Sequence, residues 1–362
     1  MEGKSGVPEL FIPGPVAVHQ DVMEAMSKPM IGHRTPEFSA LWRTVIEGVQ
    51  EVLQTGNHIY LGTNTATGFM EAAVRNTVQK RCLNLVCGAF SLRWHHITTG
   101  CGFDADSIGV DWGEGIRPEH VKMALDEEDY DVVTIAHNET STGVMNPLRS
   151  VVETIRENSD ALILVDATSS MSGVNIPVDE WGIDICLASV QKAWGLPPGF
   201  ALMSVSDRAI ERAESQNRKG YYFDFQVWEK YYAREQTPTT ASVPHLYGLE
   251  RQLGRIREEG MMNRFQRHKQ MAERTREWAL DRGFQLFSEE PYHSNTLTCI
   301  ENTRGIDVGE LSKHLLDRGY RISNGYGPLK GKSFRIAHMG DRQPEELGEL
   351  LAEIDDILDN EM

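Results

Sequence analysis

Short apolar runs recur along the first two-thirds of the chain: His58–Gly62, Leu83–Phe90, Asp131–His137, Ala161–Asp166, the stretch from Asp184 towards Lys192, and Phe200–Val205. Runs of this length, apolar without alternation, suit strands covered on both faces. Helical spacing fills the intervals. The clearest helix covers Phe38 to about Leu53, with Thr35 as N-cap and Pro36 in the first turn. The turn Thr63–Gly68 leads into a helix expected to begin near Phe69. From about Val243 a single long helix is expected to run to Asp281, stopped by Arg282-Gly283. Beyond it the pattern shortens to strands at Phe284–Phe287, Thr296–Glu301 and Phe334–His338, a helix over Val308–Arg318 and a final amphipathic helix over about Pro344–Leu358.

Strands alternating with helices predict an α/β fold, a mostly parallel sheet flanked by helices, and the tail predicts a smaller C-terminal α+β domain. The expected divisions are an extended N-terminal segment (1–20), a large domain (21–255) and a small domain (256–362), with a linking helix over 243–281. Leu10–Pro15 is extended and stiffened by proline. Arg218–Trp228 is dense in aromatic residues and reads as an interface strip or pocket wall.

Composition narrows the partners. A formal net charge of −17 over 362 residues disfavours nucleic acid and anionic membranes. No run of about twenty apolar residues predicts a membrane span. Met1–Glu9 lacks the apolar core of a signal peptide. Five scattered cysteines without a CxxC pair read as free thiols in a reducing cytoplasm, and no metal site is expected. No GxGxxG run follows a strand, which argues against a nicotinamide-dependent oxidoreductase.

Lys192 is out of place. It ends an apolar strand and is followed by the Gly/Pro turn up to Gly199, so it must lose its charge, find a partner or do chemistry. Desolvation favours the neutral amine, the nucleophile toward an aldehyde. Asp166 ends another apolar strand, and ligands of open parallel sheets bind beyond such ends. A lysine and a carboxylate facing one crevice suit pyridoxal 5'-phosphate, which needs an amine for its aldehyde and an acid at its ring nitrogen.

These residues resemble the class V (fold type I) pyridoxal-phosphate aminotransferases, nearest the alanine–glyoxylate and serine–pyruvate or serine–glyoxylate branch. The likeness runs from Pro13-Gly-Pro15 through Asn138-Glu-Thr-Ser-Thr-Gly143 to Phe334–Asp341. It implies a cofactor phosphate at Thr65, Ala66 and Thr67, where the branch often carries Ser-Gly-His, with Gln191 close by. It implies Phe90 rather than Trp94 stacked on the pyridine ring, and Thr140 or Ser141 at the phenolic oxygen or adjacent substrate. Arg335, set by alternation on the strand face opposite Phe334 and Ile336, would grip the substrate carboxylate. Thr237 would reach the phosphate of a neighbouring subunit in a homodimer with active sites at the interface. Arg34 would face the substrate entrance. The absence of a histidine before Lys192 departs from the cysteine desulfurases.

The function expected is a ping-pong, Schiff-base transfer of an amino group from alanine or serine to a 2-oxo acid such as glyoxylate or pyruvate. Two rivals remain at this stage. One is phosphoserine aminotransferase, with His33, Arg34, Lys330 and Lys332 supplying positive charge. The other is a cofactor-free binding protein on the same fold.

Overall fold

A computed structural model describes residues 6–362, so the first five residues of the expected N-terminal segment lie outside the described residues. Seven strands form the main sheet, in the spatial order His58–Gly62, Ala201–Val205, Ile185–Ser189, Leu162–Asp166, Val132–Ala136, Arg81–Val86 and Asp104–Gly109. Only Ala201–Val205 runs antiparallel to its neighbours, with Ala201 opposite both Gly62 and Ser189.

The strand period of two explains how the unbroken apolar runs are used. Leu83, Val133, Ile163, Val165 and Cys186 pack on one face against the helices Pro36–Leu53 and Val243–Glu259. Cys82, Val132, Leu162, Leu164 and Ile185 pack on the other, against Ala66–Thr77 and the Phe225–Tyr232 helix. Both faces are covered, as the lack of alternation foretold.

Three boundaries differ from expectation. The helix after the Thr63–Gly68 turn starts at Ala66 rather than near Phe69, because Thr65 already has the extended conformation of an N-cap. Phe90 does not end a strand: the strand closes at Val86, and Phe90 lies in the first turn of a helix, Ala89–Gly100. The long helix is two helices, Val243–Glu259 and Met261–Asp281. Gly260, at φ +83°, breaks the ladder in a conformation that suits glycine.

The C-terminal part builds a four-stranded antiparallel sheet in the order Gln285–Leu286, Leu297–Glu301, Ser333–Ala337 and Ser323–Asn324. The helices Val308–Asp317 and Pro344–Asn360 share its apolar core. The N-terminal segment is anchored here. Phe11 N donates to Arg321 O (2.8 Å), Ala337 N to Phe11 O (2.9 Å) and Arg342 Nε to Leu10 O (3.2 Å). It then crosses to the main sheet, where Val16 N donates to Gln191 O at 3.0 Å. Among the described residues no helix is long and apolar enough to cross a membrane.

Candidate active site

Lys192 follows the strand Ile185–Ser189 by three residues, in a turn closed by Leu196 N donating to Val190 O (3.0 Å) and Gly195 N to Lys192 O (2.9 Å). Its side chain is 9% exposed, and Nζ donates to Thr140 Oγ1 (3.1 Å) and Ser169 Oγ (2.9 Å). Burial lowers the amine from its ordinary 10.5 to about 8; Asp166 opposes the shift, while Arg335 and Arg93 reinforce it. Gly14 shows how closely the N-terminal segment lies upon this lysine. Its φ is +111°, and a Cβ there would stand 3.1 Å from Lys192 Cγ.

Asp166 ends its strand at 8% exposure, and its Oδ1 accepts from Thr168 N at 2.9 Å. Burial pushes the carboxyl upward, partly offset by the Thr168 hydrogen bonds and the charge on Lys192.

Lys192 and Asp166 line one cavity of about 220 Å³ beyond the carboxyl ends of the central strands. The cavity is also lined by Thr65, Ala66, Thr67, Phe90, Thr140 and Gln191, so eight of the twelve residues singled out from the sequence meet in one place. Ala66 N, in the first turn of its helix, donates to Ser189 Oγ at the end of the lysine strand. Phe90 lies 5.6 Å from Lys192 Nζ, measured to the ring centroid.

Arg335 lies beside this group without lining the cavity. Its Nη1 donates to Thr140 O (3.1 Å), and Nε and Nη2 donate to Asn324 O (3.3 and 3.1 Å). Two carbonyls thus fix the guanidinium plane and leave one N–H on each terminal nitrogen. The side chain is buried, which lowers its pKa, and no carboxylate pairs with it among the described residues.

Three expected residues are directed elsewhere within the chain. Ser141 Oγ donates to Glu139 Oε1 (2.6 Å) and accepts from Ala89 N (3.1 Å). Arg34 Nη1 donates to Thr237 O (2.7 Å), and its guanidinium lies 4.9 Å from the Tyr231 ring. Thr237 Oγ1 donates to Thr239 O at 2.8 Å.

Sequence reasoning passed over Arg93, Asn138, Ser169 and Ser189, which line the cavity, and Glu139 behind it. Arg93 carried a legible signal, since it falls one helical turn after Phe90. Ser169 lies in the run after Asp166 and Ser189 in the stretch before Lys192, both already in view.

The donors suit pyridoxal phosphate. A readily neutralised amine faces a buried carboxylate, and the Asn138 amide nitrogen is buried at the cavity without a hydrogen-bond partner among the described residues. A doubly covered α/β sheet with this lysine and aspartate at its strand ends defines a pyridoxal-phosphate enzyme.

Comparison with known proteins identifies the family. The family model described as Aminotransferase class-V matches residues 21–327. An uncharacterized aminotransferase of Methanocaldococcus jannaschii is 38% identical over 91% of this chain and 87% of its own length. The serine–glyoxylate aminotransferase of Arabidopsis thaliana is 34% identical over 96% of this chain and 90% of its own. The crystal structure of an alanine–glyoxylate aminotransferase from Nostoc sp. superposes with a TM-score of 0.93 at 31% identity, covering 99% of this chain and 97% of that one. The chain belongs to the class V aminotransferases: it has their fold type I architecture and is a pyridoxal-phosphate-dependent transaminase.

Proposed function

We propose that the enzyme moves the amino group of a small amino acid, alanine or serine, to glyoxylate or pyruvate in two half-reactions. The observation that carries this reading is the convergence of Lys192 and Arg335 on Thr140, Nζ at its hydroxyl and Nη1 at its carbonyl, each at 3.1 Å. An amine that handles a proton and a cation that grips a carboxylate are thereby both held by Thr140. The names of the Arabidopsis and Nostoc relatives support the choice of substrates.

When bound, pyridoxal phosphate supplies an electron-withdrawing ring that accepts the electron pair left as the donor's Cα proton departs. Lys192 Nζ would hold the cofactor and, when freed, would take that proton as general base and return it as general acid. Asp166 would keep a proton on the ring nitrogen, and Phe90 would pack against the ring face. Thr65, Ala66, Thr67 and Gln191 would line the phosphate end, and the Thr140 hydroxyl and the Asn138 amide would serve the phenolic oxygen. Arg335 offers one N–H from each terminal nitrogen to the donor's carboxylate, a bidentate grip that fixes the orientation of the Cα–H bond.

In a homodimer, Thr237 serves the partner's pocket; it lies away from the cavity of its own chain, which supports this placement. A cytoplasmic setting suits five cysteines that are all free thiols. Phosphoserine as donor would need Arg34 at the substrate entrance, whereas its guanidinium is engaged by Thr237, Pro238 and Tyr231.

The test mixes the loaded enzyme with alanine, serine, aspartate or phosphoserine singly, without a 2-oxo acid. Alanine or serine should bleach the visible cofactor band and phosphoserine should not. Bleaching by phosphoserine alone would overturn this reading. Lys192→Ala should reduce steady turnover by at least ~10³-fold, through loss of both the nucleophile and the proton carrier.

A further inference from the structure

The cavity has an unbalanced charge at the end where Thr65, Ala66 and Thr67 begin their helix. A phosphate monoester carries between one and two negative charges at neutral pH. The first turn of Ala66–Thr77 offers it little. Ala66 N is given to Ser189 Oγ, and Gly68 N and Phe69 N turn back to Thr65 O at 2.9 and 3.3 Å. Among the described residues, Thr67 N is the donor of that turn left without a partner. Among the described residues lining the cavity the only cations are Lys192, which is committed to the aldehyde, and Arg93.

Arg93 is poised for the task. It projects from the helix Ala89–Gly100 one turn after Phe90, and its guanidinium lies 4.8 Å from the Phe90 ring centroid. Nη1 donates to Thr67 Oγ1 at 3.0 Å, which sets the cation beside the start of the other helix. No carboxylate pairs with it among the described residues. The aromatic face restricts the guanidinium plane, and its remaining N–H groups stay available.

We propose that Arg93 is the counter-charge of the cofactor phosphate, acting with Thr67 as a clamp between two helix N-termini. Phe90 and Arg93 then divide the cofactor between them, the ring to one and the phosphate to the other, on successive turns of one helix. The inference rests on reading this cavity as the cofactor pocket.

The experiment uses cofactor-free protein and measures, by calorimetry, the binding of pyridoxamine 5'-phosphate and of pyridoxamine, which differ only in the phosphate. Arg93→Met removes the charge and keeps an aliphatic stem against Phe90; Arg93→Lys restores charge without the fork. Arg93→Met should weaken pyridoxamine 5'-phosphate about 10- to 100-fold, as expected for a lost charge-assisted hydrogen bond, and leave pyridoxamine within about 3-fold. Arg93→Lys should recover part of the loss, and it carries the test alone if the methionine variant fails to fold.

Equal weakening of both ligands would mean that Arg93 only supports Phe90, and would overturn the proposal. So would unchanged binding of the phosphate ester together with a raised KM for aspartate but not alanine, which would assign Arg93 to a donor's distal acid. If wild-type protein binds neither amine, the pocket reading falls and the proposal with it. Binding of both by the wild type with no selective loss in Arg93→Met removes the proposal alone.

Discussion

Burial disfavours the Lys192 ammonium and lowers the amine's pKa to about 8, so in the proposed function this amine sets when the pocket can be loaded. Only the neutral amine attacks an aldehyde. The rate of cofactor uptake by cofactor-free protein should therefore rise ~10-fold per pH unit below 8 and level off above about 9. Stopped-flow absorbance at a series of pH values checks this, and a flat profile between pH 6 and 8 would contradict it. Linkage adds a second readout. The unfolded amine titrates near 10.4, so between about pH 8 and 10.5 the unfolded chain binds more protons than the folded one. This group's contribution to the stability of cofactor-free protein accordingly rises with pH across that window. At the residue scale the sequence was most informative where chemistry and pattern clashed. A lysine and an aspartate at apolar strand ends are conspicuous, and both line the cavity. Ser169 was silent, because a serine in a polar turn looks the same whether its hydroxyl meets a backbone amide or a catalytic amine. Ser141 misled for the same reason: its residue type allows the cofactor contact, but the neighbouring Glu139 claims its hydroxyl.

That glutamate belongs to the scale of elements. Glu139 is fully buried, and its carboxylate accepts from Phe90 N (3.1 Å), Ser91 N (2.8 Å) and Ser91 Oγ (2.9 Å), as well as from Ser141 N and Oγ (3.1 and 2.6 Å). A loop after one strand thus caps the helix that follows another, satisfying N–H groups the helix cannot bond itself and placing a negative charge at its positive end. Phe90 and Arg93 are aimed by this cap. Glu139→Gln puts amide hydrogens where only acceptors fit. It should cost about 3 kcal/mol in thermal or urea unfolding of cofactor-free protein, and it should weaken cofactor retention. Wild-type stability in that variant would contradict the capping role. The carboxylate contributes across a strand boundary, so periodicity along the chain could not announce it. The same limit explains the expected strand over Leu83–Phe90. Its last residues are small or apolar and fit either state, and the choice of helix from Ala89 is made by a glutamate about 50 positions away. Gly260 is the opposite case: its ability to break a helix is local, yet the apolar stripes on either side of it read as one.

The molecule as a whole is tied together by a buried guanidinium. Arg264, 1% exposed, donates to Ser172 O (3.0 Å), to Ala193 O beside Lys192 (2.8 Å), and to the carboxylates of Asp341 (2.9 Å) and Glu259 (3.1 Å). Burial alone would raise the Asp341 carboxyl, but the charge and hydrogen bond of Arg264, together with the Gln252 hydrogen bond and the Arg255 charge, outweigh it and hold the carboxyl below the usual range. Its share of stability is therefore full well above pH 4 and is lost as pH falls through the depressed value. Arg264→Met leaves that carboxylate buried without its main partner and should cost about 3–5 kcal/mol, measured by urea unfolding at neutral pH. An unchanged midpoint would show that Gln252 and Arg255 suffice to hold Asp341. The N-terminal segment makes the longest of these ties, since Leu10 and Arg342 are joined by a hydrogen bond across 332 positions. This has a consequence for synthesis. The segment leaves the ribosome long before its anchors at Arg321, Ala337 and Arg342. The strip of chain that lies upon the lysine lacks its small-domain anchors until they too have been made, so the nascent enzyme acquires its finished pocket only after the C-terminal sheet has emerged.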